Sequence, residues 1–214
     1  MKDQPKTFKL LRYLEWVMIF FMVPILFLVI PTTVPKLPCL ISISAVCSIL
    51  LLKDNTFLRS RFYDLKPIHA FFKTILLRSL VIGLSLAGIL LIMKPEAFFH
   101  FPKTNTTLWM LIVVLYPILS AYPQELIYRG YFFHRYKGIF RNRTSMIWAS
   151  TFAFAFMHII FENPVAPFLT LPGGYLFAKT YERTQSLAVV GIEHAIYGDL
   201  IFTMGLGMYF YKGF

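Results

Sequence analysis

Apolar runs approaching or exceeding the roughly 18–20 residues that cross a bilayer as a helix recur along this chain, and that fact governs every later choice. They lie at about 14–30, 37–52, 71–93, 107–136, 145–161, 166–178 and 184–211. The runs are continuous rather than alternating, so they predict helices and not the strands of a membrane barrel. The expected fold class is all-α: a polytopic transmembrane helical bundle of about seven spans, or eight if the last run breaks at Gly198. Prolines 24 and 31 kink or end the first span, and Pro172-Gly173-Gly174 interrupts the short sixth.

The net charge of +11 would suggest nucleic acid in a water-soluble chain. Here the cations fall in connecting segments, and neither a zinc-finger spacing nor a basic groove is present, so no nucleic-acid partner is expected. Four Lys or Arg in the N-terminal tail, six over 53–78, four over 135–143 and two over 179–183 lie on one side, against Lys36, Lys94 and Lys103 on the other. That bias predicts a cytoplasmic N-terminus, and an integral protein of the plasma (inner) membrane is expected. Cys39 and Cys47 share one apolar run and read as packing residues. No internal repeat supports a transporter built from inverted halves. The chain divides into N-terminal spans (1–106) and a core (107–214) that carries the polar residues of interest.

Those residues are few. Glu125 and Arg129, four apart on a helix, can pair on one face, at a depth where a charge costs roughly 2.5–3.5 kcal/mol. His158 and His194 also lie inside apolar runs, the latter followed by Asp199. Glu125 stands about a dozen residues before the cationic turn near 137–144, His158 about a dozen after it, and His194 roughly ten beyond the turn at 179–183. At ~1.5 Å per residue all three reach a similar depth, some 15–20 Å from one face. One carboxylate and two imidazoles leave two chemistries open. They could bind a metal such as zinc, with Glu125, His158 and His194 as ligands and a place for water. Alternatively a carboxylate acts as base on water while histidine and a further polar group stabilise the oxyanion. A structural network without chemistry is the bland reading. Neither Ser120 nor Ser186 sits in a G-x-S-x-G elbow.

Three short patterns then resemble the CAAX protease and bacteriocin-processing (Abi) membrane peptidases. Gln124-Glu125-Leu126-Ile127-Tyr128-Arg129 is similar to the family's Glu-Glu-x-x-x-Arg, Phe154 to His158 to its Phe-x-x-x-His, and His194 to its His-x-x-x-Asn. The resemblance implies an intramembrane endopeptidase whose catalytic set is Gln124, Glu125, Arg129, His158, His194 and Asp199, with Phe154 and Tyr128 near the substrate. It implies a bilayer and a membrane-associated or lipidated peptide as partners. Two departures stand out. Gln124 replaces the first glutamate, and an amide cannot take up a proton usefully at neutral pH. Gly198 stands where Asn is expected, and Asp199, one residue later, reaches the His194 face only if the helix is locally loosened.

Overall fold

The computed structural model describes residues 5–30 and 35–210; Lys2 of the basic tail, Pro31 and the end of the last run at Tyr211 lie outside the described residues. Seven long helices organise it: α1 (Lys6–Val29), α2 (Lys36–Lys53), α3 (Ile68–Met93), α4 (Thr106–Tyr136), α5 (Arg143–Phe161), α6 (Val165–Thr184) and α7 (Leu187–Met204). No strand occurs among the described residues. Six of the helices, all but α6, are long and apolar enough to cross a membrane. Lys179, Glu182 and Arg183 crowd the last turns of α6, and its interior runs unbroken through Pro172 instead of stopping there.

Local chemistry sets the helix ends. Asn142 Oδ1 accepts the Ser145 N–H at 2.8 Å and Ser145 Oγ answers the Asn142 backbone, a reciprocal cap that starts α5. Ser186 caps α7 by accepting the Val189 N–H at 3.1 Å. α4 is the longest helix, 31 residues or about 46 Å at ~1.5 Å each, so it must tilt or project beyond the hydrocarbon core. It is also irregular. Pro117 lacks an N–H and its ring displaces the carbonyl a turn earlier, and the backbone widens to a five-residue hydrogen-bond spacing over Pro117–Ala121 and again over Leu126–Tyr131.

In lipid, burying apolar surface does not drive helices together, so close packing and polar contacts must do it. Large apolar side chains of α3, among them Leu76, Leu80, Leu84 and Ile92, face outward as lipid contacts require. α7 is the opposite case, with 56% of its most apolar stretch buried against 22% for α3, which makes it the central helix. Phe20 of α1 packs edge-on against Tyr128, Phe132 and Tyr136 of α4 at 5.3–6.1 Å. The same two helices are tied by Glu15, which accepts from Arg135 Nε (2.9 Å) and Nη2 (3.0 Å) and from Tyr136 at 3.2 Å.

Arg78 departs from its reading as a connecting-segment cation. It lies within α3 and its Nη1 donates to Glu193 Oε1 of α7 at 2.9 Å and to Thr180 Oγ1 of α6 at 3.2 Å. Tyr197 donates to the same Glu193 oxygen at 2.7 Å. This fully buried carboxylate fastens α3 to α7, and it lies one residue before His194, about 100° round the helix.

Candidate active site

α4, α5, α6 and α7 enclose the polar residues singled out above. Glu125 and Arg129 are both 0% exposed, as an ion pair at this depth must be. Arg129 Nε stands 3.1 Å from Glu125 Oε2, but its angle is not that of a hydrogen bond, and neither atom has another partner. The attraction is therefore mainly Coulombic. Arg129 Nη2 donates to the Gly174 carbonyl of α6 at 2.8 Å, and the guanidinium lies 4.5 Å from the Phe154 ring centre and 5.5 Å from that of Phe177.

Gly174 is what lets α6 come this close. A Cβ there would fall 2.9 Å from Phe154 Cδ1 and 3.6 Å from Arg129 Nη2. Gly174→Ala is therefore expected to destabilise the protein by about 1–3 kcal/mol, the usual cost of overpacking, read as a lower melting temperature in detergent. An unchanged melting temperature would mean that α6 stands off from Phe154.

Glu125 Oε1 meets His194 Nδ1 at 2.7 Å. A carboxylate only accepts, so Nδ1–H donates, and in that tautomer the lone pair lies on Nε2. Nε2 is met by the Tyr116 hydroxyl at 3.0 Å, which then donates. The imidazole stacks on Phe177, with ring centres 4.5 Å apart and 19° between planes, and Phe154 presents itself at right angles 5.5 Å away. A continuous line results, Arg129–Glu125–His194–Tyr116, with aromatic walls that fix the imidazole.

His158 does not join that line. Its Nδ1–H donates to the Phe154 carbonyl at 2.7 Å, and among the described residues no hydrogen bond links it to Glu125 or His194. Its ring packs 4.8 Å from the Phe154 ring, so Phe154 touches both imidazoles. The half-buried Gln124 turns its amide along α4 to Ser120 Oγ at 2.8 Å. α7 continues as a regular helix past Gly198 with neither break nor loosening. Asp199 is accordingly outside the Glu125–His194 contact, and its Oδ1 is enclosed without a protein partner. Tyr128 and Phe154, expected beside substrate, are 6% and 1% exposed and pack edge-on at 5.3 Å. Both are packed walls of the site.

As arranged, the donors do not fit a zinc ion. Both His194 nitrogens and both Glu125 oxygens face protein groups, and no three His, Cys, Asp or Glu side chains converge among the described residues. An open groove of about 660 Å³ between α1, α5 and α6 is lined by apolar side chains such as Trp16, Phe21, Phe152 and Phe168, and by none of the three candidates.

Sequence reasoning did not single out Tyr116 or Phe177, and it read Gly174 only as part of an interruption. Tyr116 carries no charge to mark it, and nothing local distinguishes a contact made across 78 positions.

No curated protein and no solved structure matches the chain. Residues 104–198 match the family model described as type II CAAX prenyl endopeptidase Rce1-like. That segment begins just before α4, ends at Gly198 and contains every residue of the line from Tyr116 to His194. Over this segment, rather less than half of its length, the chain is similar to the CAAX prenyl endopeptidases.

Proposed function

We propose that the chain hydrolyses a peptide bond in a membrane-associated or lipidated peptide, with His194 as the proton acceptor and Glu125 as the group that orients it. The observation that carries this reading is the buried 2.7 Å contact between Glu125 and His194 Nδ1. A carboxylate on Nδ1 fixes the tautomer, aims Nε2 and stabilises the imidazolium that forms when Nε2 takes a proton. Arg129, held by Gly174 and the two phenylalanine rings, keeps that carboxylate in place.

The reaction balances without a further reagent. Water displaces the Tyr116 hydroxyl at Nε2; as its oxygen bonds the scissile carbonyl carbon, its proton passes to Nε2 and the carbonyl π pair moves onto oxygen. Collapse re-forms the carbonyl and breaks the C–N bond, and His194 returns the proton to the leaving amine. Gln124 has no part in these transfers, because its amide is not basic. The Lys and Arg distribution supports a cytoplasmic N-terminus.

The test uses purified protein and an internally quenched farnesylated peptide. His194→Ala is expected to slow cleavage by about 10²-fold or more, since His194 is the proton acceptor held by Glu125. Full activity in that variant, in a folded sample, would contradict the Glu125–His194 site.

A second reading, a non-catalytic relative that holds a peptide or lipid, is favoured by Gln124 in place of the motif's first carboxylate. Mass spectrometry separates the two: peptide retained intact supports the second, cleaved product the first.

A further inference from the structure

His194 and the position four residues on lie on one face of α7, so a side chain at 198 would project into the same space as the imidazole. Position 198 is glycine. A Cβ built there would lie 2.2 Å from Tyr116 Cε1 and 2.5 Å from both Cζ and the hydroxyl oxygen, distances no real side chain tolerates. The phenol of Tyr116 therefore occupies the volume that a side chain at 198 would fill. It comes from α4, immediately before the widened turn at Pro117, and is steadied edge-on by Phe202 with ring centres 5.5 Å apart. Its hydroxyl stands 3.0 Å from His194 Nε2, the nitrogen assigned above to proton transfer.

We infer that Tyr116 is a further catalytic residue of this site: seated in the space left by Gly198, its hydroxyl donates to the oxyanion of the tetrahedral intermediate. The inference rests on the endopeptidase reading. At rest the O–H donates to Nε2. Once water takes that place, the same O–H turns to the carbonyl oxygen as negative charge gathers there. The phenol keeps its proton throughout, so it contributes a hydrogen bond and no transfer. Removing one oxyanion donor from an acyl-transfer enzyme costs about 10²–10³ in kcat. Gly198 and Tyr116 act as one unit, a polar group delivered from α4 because α7 offers none at that position.

The experiment compares the full chain with Tyr116→Phe, Gly198→Asn, Tyr116→Ala and the double variant Tyr116→Ala/Gly198→Asn. Each is purified in detergent and assayed on the farnesylated quenched peptide, with melting temperature in parallel. Tyr116→Phe, which keeps the ring and loses only the hydroxyl, is expected to lower kcat about 10²-fold with KM and melting temperature nearly unchanged. Gly198→Asn alone is expected to unfold or mispack, because its Cβ meets the phenol. Emptying the phenol's place in the double variant is expected to restore folding and raise kcat above that of Tyr116→Ala. Parent-like kcat in Tyr116→Phe overturns the role of Tyr116, as does a folded double variant no faster than Tyr116→Ala. A parent chain that cleaves nothing overturns the endopeptidase reading itself, and the catalytic role with it.

Discussion

His194→Gln is expected to reduce cleavage by roughly 10²–10⁴-fold while the protein stays folded, the largest change in activity anticipated for any single site. Glutamine is chosen because its amide N–H can still donate to Glu125 Oε1 in place of Nδ1, whereas alanine would leave a fully buried carboxylate oxygen without its donor. What glutamine lacks is a basic nitrogen. Loss of activity with little change in melting temperature therefore separates proton transfer from packing. Some loss of stability is still expected, since the flat stacking of His194 on Phe177 cannot be reproduced by an amide. Parent-like turnover in His194→Gln would show that water is activated elsewhere.

Arg129→Met is expected to have the largest effect on stability, about 3–5 kcal/mol, because it strands a carboxylate where no water reaches. Glu125 and Arg129 are both 0% exposed, and the guanidinium also satisfies the Gly174 carbonyl and fills the space between Phe154 and Phe177. Methionine keeps much of the side-chain volume, so the loss would reflect charge more than a cavity. Adding Glu125→Gln should recover part of it, since an amide needs no counter-ion. Unfolding in detergent reads both effects. An Arg129→Met protein as stable as the parent would mean that the pair is solvated, and recovery in the double variant would be meaningless.

Much of this site was legible from residue type and spacing. A carboxylate and a guanidinium four apart inside an apolar run must pair or be expelled, and they pair. The depth count that placed His194 near Glu125 relied only on helical rise and on turns marked by cations. What escaped was of a different physical kind. Tyr116 is an aromatic residue in an aromatic-rich chain, and its hydroxyl becomes significant only through a contact between α4 and α7. Gly198 read as a possible break, yet it is a point of close approach. Pro172 likewise read as an interruption. α6 absorbs it, and Thr170 Oγ1 donates to the Ala166 carbonyl at 2.8 Å one turn earlier while Gly174 seats the next turn against Phe154. Arg78 was counted with the cations that set orientation; its partner Glu193 is 115 positions away. Each of these depends on which helices become neighbours, which hydropathy does not encode.

The most direct test of the proposed pairing is a double-mutant cycle on cleavage of the farnesylated peptide with Glu125→Gln, His194→Gln and both together. If the carboxylate works only through the imidazole it orients, the double variant should be no slower than His194→Gln alone. Penalties that multiply in the double variant, or parent-like turnover in either single one, would mean that the two residues do not act as one unit.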